Sequence, residues 1–239
     1  MLPKVSILGM AFSTYWIMFF VGLIGMIVIC WRRANLYCCA PTTIGKKIKA
    51  VVFVLLLAVF GLLGTKVLYV LENLQETIDN GITLGGQSFF GALFLVPVAM
   101  IGCGWLLGLR PLASTDFCAP PVIFILMCMR LGCFMTGCCG GIKVCNIEVP
   151  AQLIEAIGDA CIFVFLLYRE ERGKHKGQLY PLLMLLYGSM RFLIEFVRDT
   201  PKDIFFFSRG QVYSVFAIII AVVWIVRLQN EKKTFTKAF

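Results

Sequence analysis

The sequence predicts an all-α membrane protein with about seven spanning helices around an internal polar cavity. Composition and the distribution of apolar runs both indicate this class. Of the 239 residues, 60% are hydrophobic and only 15% are charged, whereas a soluble domain usually has about 45–50% apolar and about 25% charged residues. Because the apolar runs recur along the whole chain, we predict a single integral membrane domain over residues 1–239.

Each predicted span is an apolar run close to the roughly 20 residues that a bilayer requires. The runs lie at residues 11–30, 50–71, 84–107, 119–136, 150–168, 177–197 and 210–228. The first run is too long for a signal peptide and no small-residue cleavage site follows it, so we expect it to be retained. Gly85, Gly86, Gly91 and Pro97 interrupt the third run, which makes it a candidate for a broken or re-entrant helix.

The charge pattern predicts the orientation of the spans. The net charge is +9, from 22 Lys and Arg against 13 Asp and Glu. Most basic residues fall in one set of alternate loops, which positive-inside bias assigns to the cytoplasm together with the C-terminus, leaving the N-terminus outside. The basic residues flank spans and form no surface with interleaved aromatics, so no nucleic-acid partner is predicted.

The chain has eleven cysteines, most of them inside predicted spans, where Cys behaves as a small hydrophobe. Cys138, Cys139 and Cys145 fall in a predicted outer loop, where oxidation or metal binding is an alternative. The spacing Cys133-x4-Cys138, with no nearby histidine, departs from the paired elements of structural zinc sites. We therefore predict no metal ion.

Two arginines within apolar spans are the strongest functional signal. A charge at the centre of a span costs about 2.5–3.5 kcal/mol on insertion scales, and such residues usually face a cavity. Arg130 is followed by Gly132 and Gly137, which leave room for a ligand or a second helix. Arg191 shares a helix face with Tyr187 and Glu195, four residues away on either side, and Arg198 lies near that face at the water boundary.

A polar stripe marks the fifth span, where Gln152, Glu155 and Asp159 are spaced for one helix face. One interpretation is structural: Arg130 pairs with Glu155, or Arg191 with Glu195, without a further role. The functional interpretation is an anionic headgroup site, because a guanidinium binds phosphate oxygens in a bidentate manner.

Several segments resemble the prolipoprotein diacylglyceryl transferase family. Residues 129–141 are similar to its signature, which begins Gly-Arg-Ile-Gly-Asn-Phe. Residues 149–155 are similar to its His-Pro-Thr-Gln-Leu-Tyr-Glu, and residues 186–198 match its Tyr-Gly-x-x-Arg-Phe-x-x-Glu-x-x-Arg. Further matches, in the family's order, are residues 14–16, 85–93 and 210–214.

The resemblance implies a bacterial cytoplasmic-membrane transferase with seven spans and no cofactor. Its lipid substrate would be phosphatidylglycerol from the bilayer. Its acceptor would be the lipobox cysteine in the signal peptide of a preprolipoprotein, whose thiol displaces glycerol phosphate to form a thioether. The expected catalytic residues are Arg130, Arg191, Tyr187, Tyr15 and Glu195. The expected substrate-binding residues are Gly91, Gly132, Gly137, Gln152, Glu155, Arg198 and Gln211.

This sequence departs from the family pattern at polar positions. Phe90 stands where the family has a histidine, a natural base for the thiol, and the single histidine, His175, lies in a predicted cytoplasmic loop. Cys133, Val149 and Cys138 replace an asparagine, a histidine and a glutamate. Three outcomes stay open: a transferase with another proton acceptor, a paralogue with a different acceptor, and a phospholipid-binding protein without activity.

Two other classes are weighed against the transferase. A transporter or channel would show inverted repeats with paired broken helices, but only one Gly-rich span is present. A thiol-redox membrane protein would use Cys138 and Cys139.

Overall fold

The computed structural model describes residues 4–7, 10–37, 42–80, 89–106, 111–144, 147–173, 177–200 and 206–237. Its helices are α1 (Thr14–Tyr37), α2 (Thr43–Glu72), α3 (Leu74–Asn80), α4 (Phe89–Leu106), α5 (Pro111–Thr136), α6 (Ala151–Glu171), α7 (Leu179–Ile194) and α8 (Arg209–Lys237). Two short antiparallel hairpins complete the described elements: β1 (Lys4–Ile7) with β2 (Met10–Ser13), and β3 (Lys143–Val144) with β4 (Ile147–Glu148).

The predicted helical class is confirmed. Five helices in the described part of the chain are long and apolar enough to cross a membrane, namely α1, α2, α5, α6 and α8. The third and sixth predicted spans correspond to shorter apolar helices, Phe90–Trp105 and Leu179–Ile194, so the count of seven spans stays a prediction. Residues 81–88, with Gly85 and Gly86, and residues 174–176, with His175, lie outside the described residues.

Several helices extend beyond their apolar runs. Helix α2 begins at Thr43, well before the predicted residue 50, because the side chain of Thr42 accepts a hydrogen bond of 3.0 Å from the Gly45 N–H and caps the first turn. Hydropathy marks the lipid-facing part of a helix, whereas capping and side-chain hydrogen bonds decide where its backbone ladder ends.

The chain divides into two compact units, Met1–Ile29 with Cys118–Phe239, and Cys30–Phe117. In the second unit α2 packs against α4. This packing requires glycine, because a Cβ on Gly64 would lie 2.7 Å from the Gly91 carbonyl oxygen. In the first unit α7 packs against both α6 and α8.

Arg33 lies beyond the end of the first predicted apolar run, yet it is buried in the structure. It lies in α1, 6% exposed, and donates hydrogen bonds to the carbonyl oxygens of Phe117 at 2.5 Å and Asp116 at 3.1 Å. These carbonyls precede Pro120 and Pro121 by four residues, and proline has no N–H to donate to them. Arg33 therefore satisfies two acceptors that the paired prolines leave free of the helical ladder.

Candidate functional site

Three arginines of the first unit converge on one buried carboxylate. The Glu155 side chain is 1% exposed and forms ion pairs with all three arginines. Its Oε2 lies 2.6 Å from Arg130 Nε, its Oε1 lies 3.2 Å from Arg198 Nη1, and Oε1 also contacts Arg191 Nη1. The three arginines come from α5, from α7 and from the turn after α7, so the tertiary packing of the unit assembles the cluster. We call Glu155 and these three arginines the guanidinium cluster.

A second carboxylate, Glu195, completes the contacts of this cluster. Its Oε2 lies 2.8 Å from Arg191 Nη2 and 3.9 Å from Arg198 Nε, and its Oε1 accepts a hydrogen bond of 3.0 Å from the Thr200 hydroxyl. A Cβ on Gly210 would lie 2.8 Å from the Glu195 carboxyl carbon, so glycine at the first turn of α8 lets the carboxylate approach that helix. A carboxylate is favoured there, since a helix N-terminus carries partial positive charge.

Donor atoms of the cluster remain unused. The buried Nε atoms of Arg191 and Arg198 have no hydrogen-bond partner among the described residues. Buried donors without partners are uncommon in folded proteins, and each one requires an explanation such as a ligand. The unused Nε donors of Arg191 and Arg198 leave the cluster able to bind an anion.

Tyr187, Asp159 and Tyr15 surround Arg130. The Tyr187 hydroxyl, on α7, and the Asp159 carboxylate, on α6, both interact electrostatically with Arg130. Tyr15, on α1, lies within electrostatic range of Arg130. It can do so because Gly132 faces α1: a Cβ there would lie 3.2 Å from Tyr15 Cα.

The loop after α5 is held by backbone hydrogen bonds. Gly137, with φ 74°, ends the helix: its N–H donates to the Phe134 carbonyl at 3.3 Å and the Cys138 N–H donates to the Cys133 carbonyl at 3.2 Å. This pair of bonds is the Schellman motif, which folds the chain back over the last helical turn. The Gln152 side-chain amide then donates to the Cys138 carbonyl at 2.6 Å.

The next residues of this loop are clamped between two other segments. The Gly141 N–H donates to the Val149 carbonyl at 3.0 Å, and the Ile142 N–H donates to the Val197 carbonyl at 2.9 Å. A Cβ on Gly141 would lie 2.6 Å from the Val149 oxygen and 2.7 Å from the Val197 oxygen. Only glycine fits at this position. The clamp also fixes the backbone of Arg198, which forms an antiparallel β-bridge with Gly141.

A family model described as prolipoprotein diacylglyceryl transferase matches residues 3–227. The chain belongs to this family. The resemblance stated from the sequence is therefore confirmed, together with the prediction of a transferase, and the chain is a multi-pass membrane protein.

Relatives named phosphatidylglycerol–prolipoprotein diacylglyceryl transferase align over much or most of the chain. The protein of Clostridium tetani is 28% identical over 187 residues, covering 68% of this chain and 74% of its own length. The protein of Finegoldia magna is 27% identical over 240 residues, covering 95% of each chain. The protein of Vibrio parahaemolyticus is 28% identical over 246 residues, covering 93% of this chain and 88% of its own length.

Most residues predicted for the transferase site lie together in the first unit, and three more of the predicted binding residues, besides Glu155, Arg198 and Gly132, have structural contacts there. Gly137 ends α5, and Gln152 holds the loop behind it. Gln211 forms a capping box with Ser208 at the start of α8: Gln211 N–H donates to Ser208 Oγ at 3.2 Å, and Ser208 N–H donates to Gln211 Oε1 at 3.0 Å. Their predicted roles in binding lipid stay predictions.

Phe90 and Gly91 belong to the second unit. The Phe90 ring, 6% exposed, stacks on Phe94 with ring centres 6.3 Å apart, and Gly91 packs against Gly64. The predicted role of Gly91 in substrate binding also stays a prediction.

The sequence offers Cys133, Cys138 and Cys139 as redox or metal candidates, but it does not reveal that their three sulfur atoms lie together. The sulfur atoms of Cys133, Cys138 and Cys139 all lie within 4.8 Å of one another, and the three cysteines are free. The pKa of the Cys139 thiol is lowered to about 5. The hydrogen bond donated by the Cys133 thiol contributes most, and the guanidinium groups of Arg198 and Arg130 add to it against the effect of burial. The signal in the sequence was Gly137, because a Schellman turn brings residue 138 back to residue 133.

Proposed function

We propose that this chain transfers a diacylglyceryl group from phosphatidylglycerol to the thiol of a prolipoprotein cysteine. The observation that carries the proposal is the guanidinium cluster, with three arginines on one carboxylate and buried donor atoms unused. Family membership supplies the reaction class, and the names of the relatives supply the lipid and the protein substrate.

In this proposal the guanidinium cluster holds the phosphate of the lipid. The acceptor thiolate attacks the glyceryl carbon, so a sulfur–carbon bond forms while the bond between that carbon and the phosphate oxygen breaks. The departing glycerol phosphate takes the electron pair of the broken bond. Negative charge therefore grows on the phosphate, and guanidinium groups that are already oriented stabilise the transition state electrostatically.

Carboxylates and tyrosines have supporting roles in the proposal. Glu155 and Glu195 hold the three arginines in a fixed arrangement, so little reorganisation is needed when the phosphate binds. Tyr187 and Tyr15 are the hydroxyl groups beside Arg130 that can donate to the lipid. Gly132 leaves space next to Tyr15.

The membrane arrangement is part of the same proposal. The N-terminus lies outside, the C-terminus lies in the cytoplasm, and about seven helices span the bilayer of a bacterial cytoplasmic membrane. The acceptor is the lipobox cysteine of a preprolipoprotein signal peptide, which approaches from the membrane. The distribution of Lys and Arg between alternate loops supports this orientation.

Transfer of labelled diacylglycerol to a lipobox peptide tests the function. Vesicles containing phosphatidylglycerol and this chain should give a labelled peptide, and a peptide with serine in place of the cysteine should stay unlabelled. Arg130→Lys and Arg191→Lys keep the positive charge but lose the bidentate fork, so we expect each to reduce transfer by about 100-fold or more, the scale of one lost transition-state donor.

A matched substitution controls for a general effect of replacing arginine. Arg172→Lys lies at the exposed end of α6, where the arginine stacks over Tyr168, and transfer should be unchanged. Full activity of Arg191→Lys would contradict the role of the fork. Binding of phosphatidylglycerol without any transfer by the unaltered chain would contradict the enzymatic function.

A further inference from the structure

The spacing of Cys133, Cys138 and Cys139 along the chain predicts no metal ion, but the three sulfur atoms lie as close together in space as the ligands of a metal site. We propose that these cysteines bind one zinc ion, which in turn binds the acceptor cysteine as a thiolate during transfer. The inference rests on the proposed function for the identity of the acceptor, and on the geometry of the three sulfurs for the metal site.

The backbone organises the three sulfurs independently of any metal. The Schellman turn at Gly137 brings Cys138 back to Cys133, and Cys138 Sγ lies 3.7 Å from the Cys133 carbonyl oxygen. Cys139 has a φ of 60°, which is rare for a residue other than glycine. This conformation directs the third sulfur to the other two, and Gln152 fixes the loop carbonyl between them.

The separation of the sulfurs fits zinc. Zinc binds thiolate sulfur at about 2.3 Å, so tetrahedral sulfur ligands lie about 3.8 Å apart. The three sulfurs already lie within 4.8 Å of one another. The Cys138 and Cys139 side chains are both exposed and therefore free to rotate to shorten the remaining distance.

The surrounding charge favours thiolates. Arg130 and Arg198 both interact electrostatically with the Cys139 thiol. Three thiolates around one zinc ion carry a net charge of −1, and a group of that charge is stabilised beside the guanidinium cluster. The same two arginines belong to the proposed phosphate site, so the metal and the lipid phosphate would lie next to each other.

Three protein ligands leave one position of a tetrahedral zinc ion open. Catalytic zinc sites have this arrangement, whereas structural sites use four protein ligands. A thiol that binds zinc loses its proton, so the acceptor cysteine would replace the water ligand and release its proton to solvent. The zinc-bound sulfur then attacks the glyceryl carbon, its bond to zinc is lost as the thioether forms, and glycerol phosphate leaves as the anion.

This role answers a requirement that Phe90 creates. Where the family resemblance places a histidine, this chain has a buried phenylalanine that cannot accept a proton. Glu155 is occupied by three arginines, and Glu195 by two arginines and Thr200. A zinc ion activates the thiol without any of these groups acting as the base.

Metal binding is tested on the full chain purified in detergent after reduction. The protein is loaded with zinc, passed through a desalting column, and its metal content and X-ray absorption at the zinc edge are measured. We expect one zinc per chain with sulfur neighbours at about 2.3 Å. Cys139→Ser and Cys138→Ser, both at exposed positions, should lose the metal, whereas Cys161→Ser at an exposed position of α6 should keep it.

Acceptor binding is tested by the same absorption spectrum, which does not depend on turnover. Addition of a lipobox peptide should increase the number of sulfur neighbours from three to four, and the serine version of the peptide should not. Transfer by the zinc-loaded protein should fall by about 100-fold after chelation or in Cys139→Ser, the scale on which activation of a nucleophile contributes.

The outcomes separate the two proposals. Absence of zinc from the loaded protein, or zinc that survives both serine variants, overturns the metal site. Transfer that is indifferent to chelation overturns the activation of the thiol and leaves the transferase function standing. A fourth sulfur neighbour without transfer supports the metal site and overturns the transferase function.

Discussion

Glu155→Gln tests whether one carboxylate organises the site. The substitution keeps the shape of the side chain but removes its charge, leaving Arg130, Arg191 and Arg198 around a neutral amide. Glu155 is 1% exposed and the three arginine side chains are 8–12% exposed. Water therefore cannot replace the lost interaction.

The expected cost follows from this burial. Removal of one partner from a buried ion pair costs about 3–5 kcal/mol, because the remaining charge is left without compensation. The glutamine oxygen still accepts a hydrogen bond, so we expect about 3 kcal/mol, the lower end of that range. In a chain of this length a loss of about 3 kcal/mol corresponds to a Tm lower by about 6–12 °C.

Thermal unfolding in detergent, followed by the reactivity of buried cysteines, measures the effect. Glu171→Gln is the matched control, since it makes the same change at the exposed end of the same helix. The control should unfold at the unaltered temperature, and transfer by Glu155→Gln should be lost even at temperatures where the protein is folded. Equal melting temperatures for the two variants would refute the view that Glu155 holds the arginines together.

Three further predictions follow from the loop after α5 and from α8. Gly141→Ala should destabilise the protein by about 1–3 kcal/mol, because the new methyl group meets two carbonyl oxygens at 2.6 and 2.7 Å; Gly102→Ala, with nothing within 4 Å, should be neutral or stabilising in the same thermal assay. Ser208→Ala removes the capping box of α8 and should cost about 1 kcal/mol in denaturant unfolding, and an unchanged midpoint would contradict the cap. In metal-free protein, iodoacetamide should alkylate Cys139 at a rate that is nearly constant above about pH 7 and falls as the pH is lowered through about 5, because the lowered pKa of this thiol leaves the thiolate populated at neutral pH. The rate is measured by mass spectrometry of the alkylated peptide. A rate that still rises above about pH 8 would contradict the lowered pKa.

The arginines illustrate how the sequence pointed to the site. Arg130 and Arg191 stood out because charged groups in apolar runs are costly, so their presence indicates polar surroundings. Tyr187, Arg191 and Glu195 were expected on one face, and α7 with the turn that follows it brings Arg191 within 2.8 Å of Glu195. Such contacts within one helix are predictable, because helical geometry alone determines which side chains are neighbours.

Contacts between segments were less accessible from the sequence. Pairing of Arg130 with Glu155 was one alternative among several, and the convergence of Arg198 and Arg191 on the same carboxylate was not anticipated. The burial of Arg33 was equally inaccessible, because hydropathy does not register that Pro120 and Pro121 leave two carbonyl groups without a helical donor.

The sequence by itself determined the membrane class, the positions of the apolar helices and the family, because each of these depends on composition, periodicity or local motifs. Only the tertiary structure decided that one glutamate serves three arginines and that three cysteines at unusual spacing bring their sulfurs together. The physical reason is that both arrangements depend on how the chain turns back on itself, at Gly137 and at the Gly141 clamp. Backbone hydrogen bonds to separate segments hold the Gly141 clamp, and no local pattern encodes them.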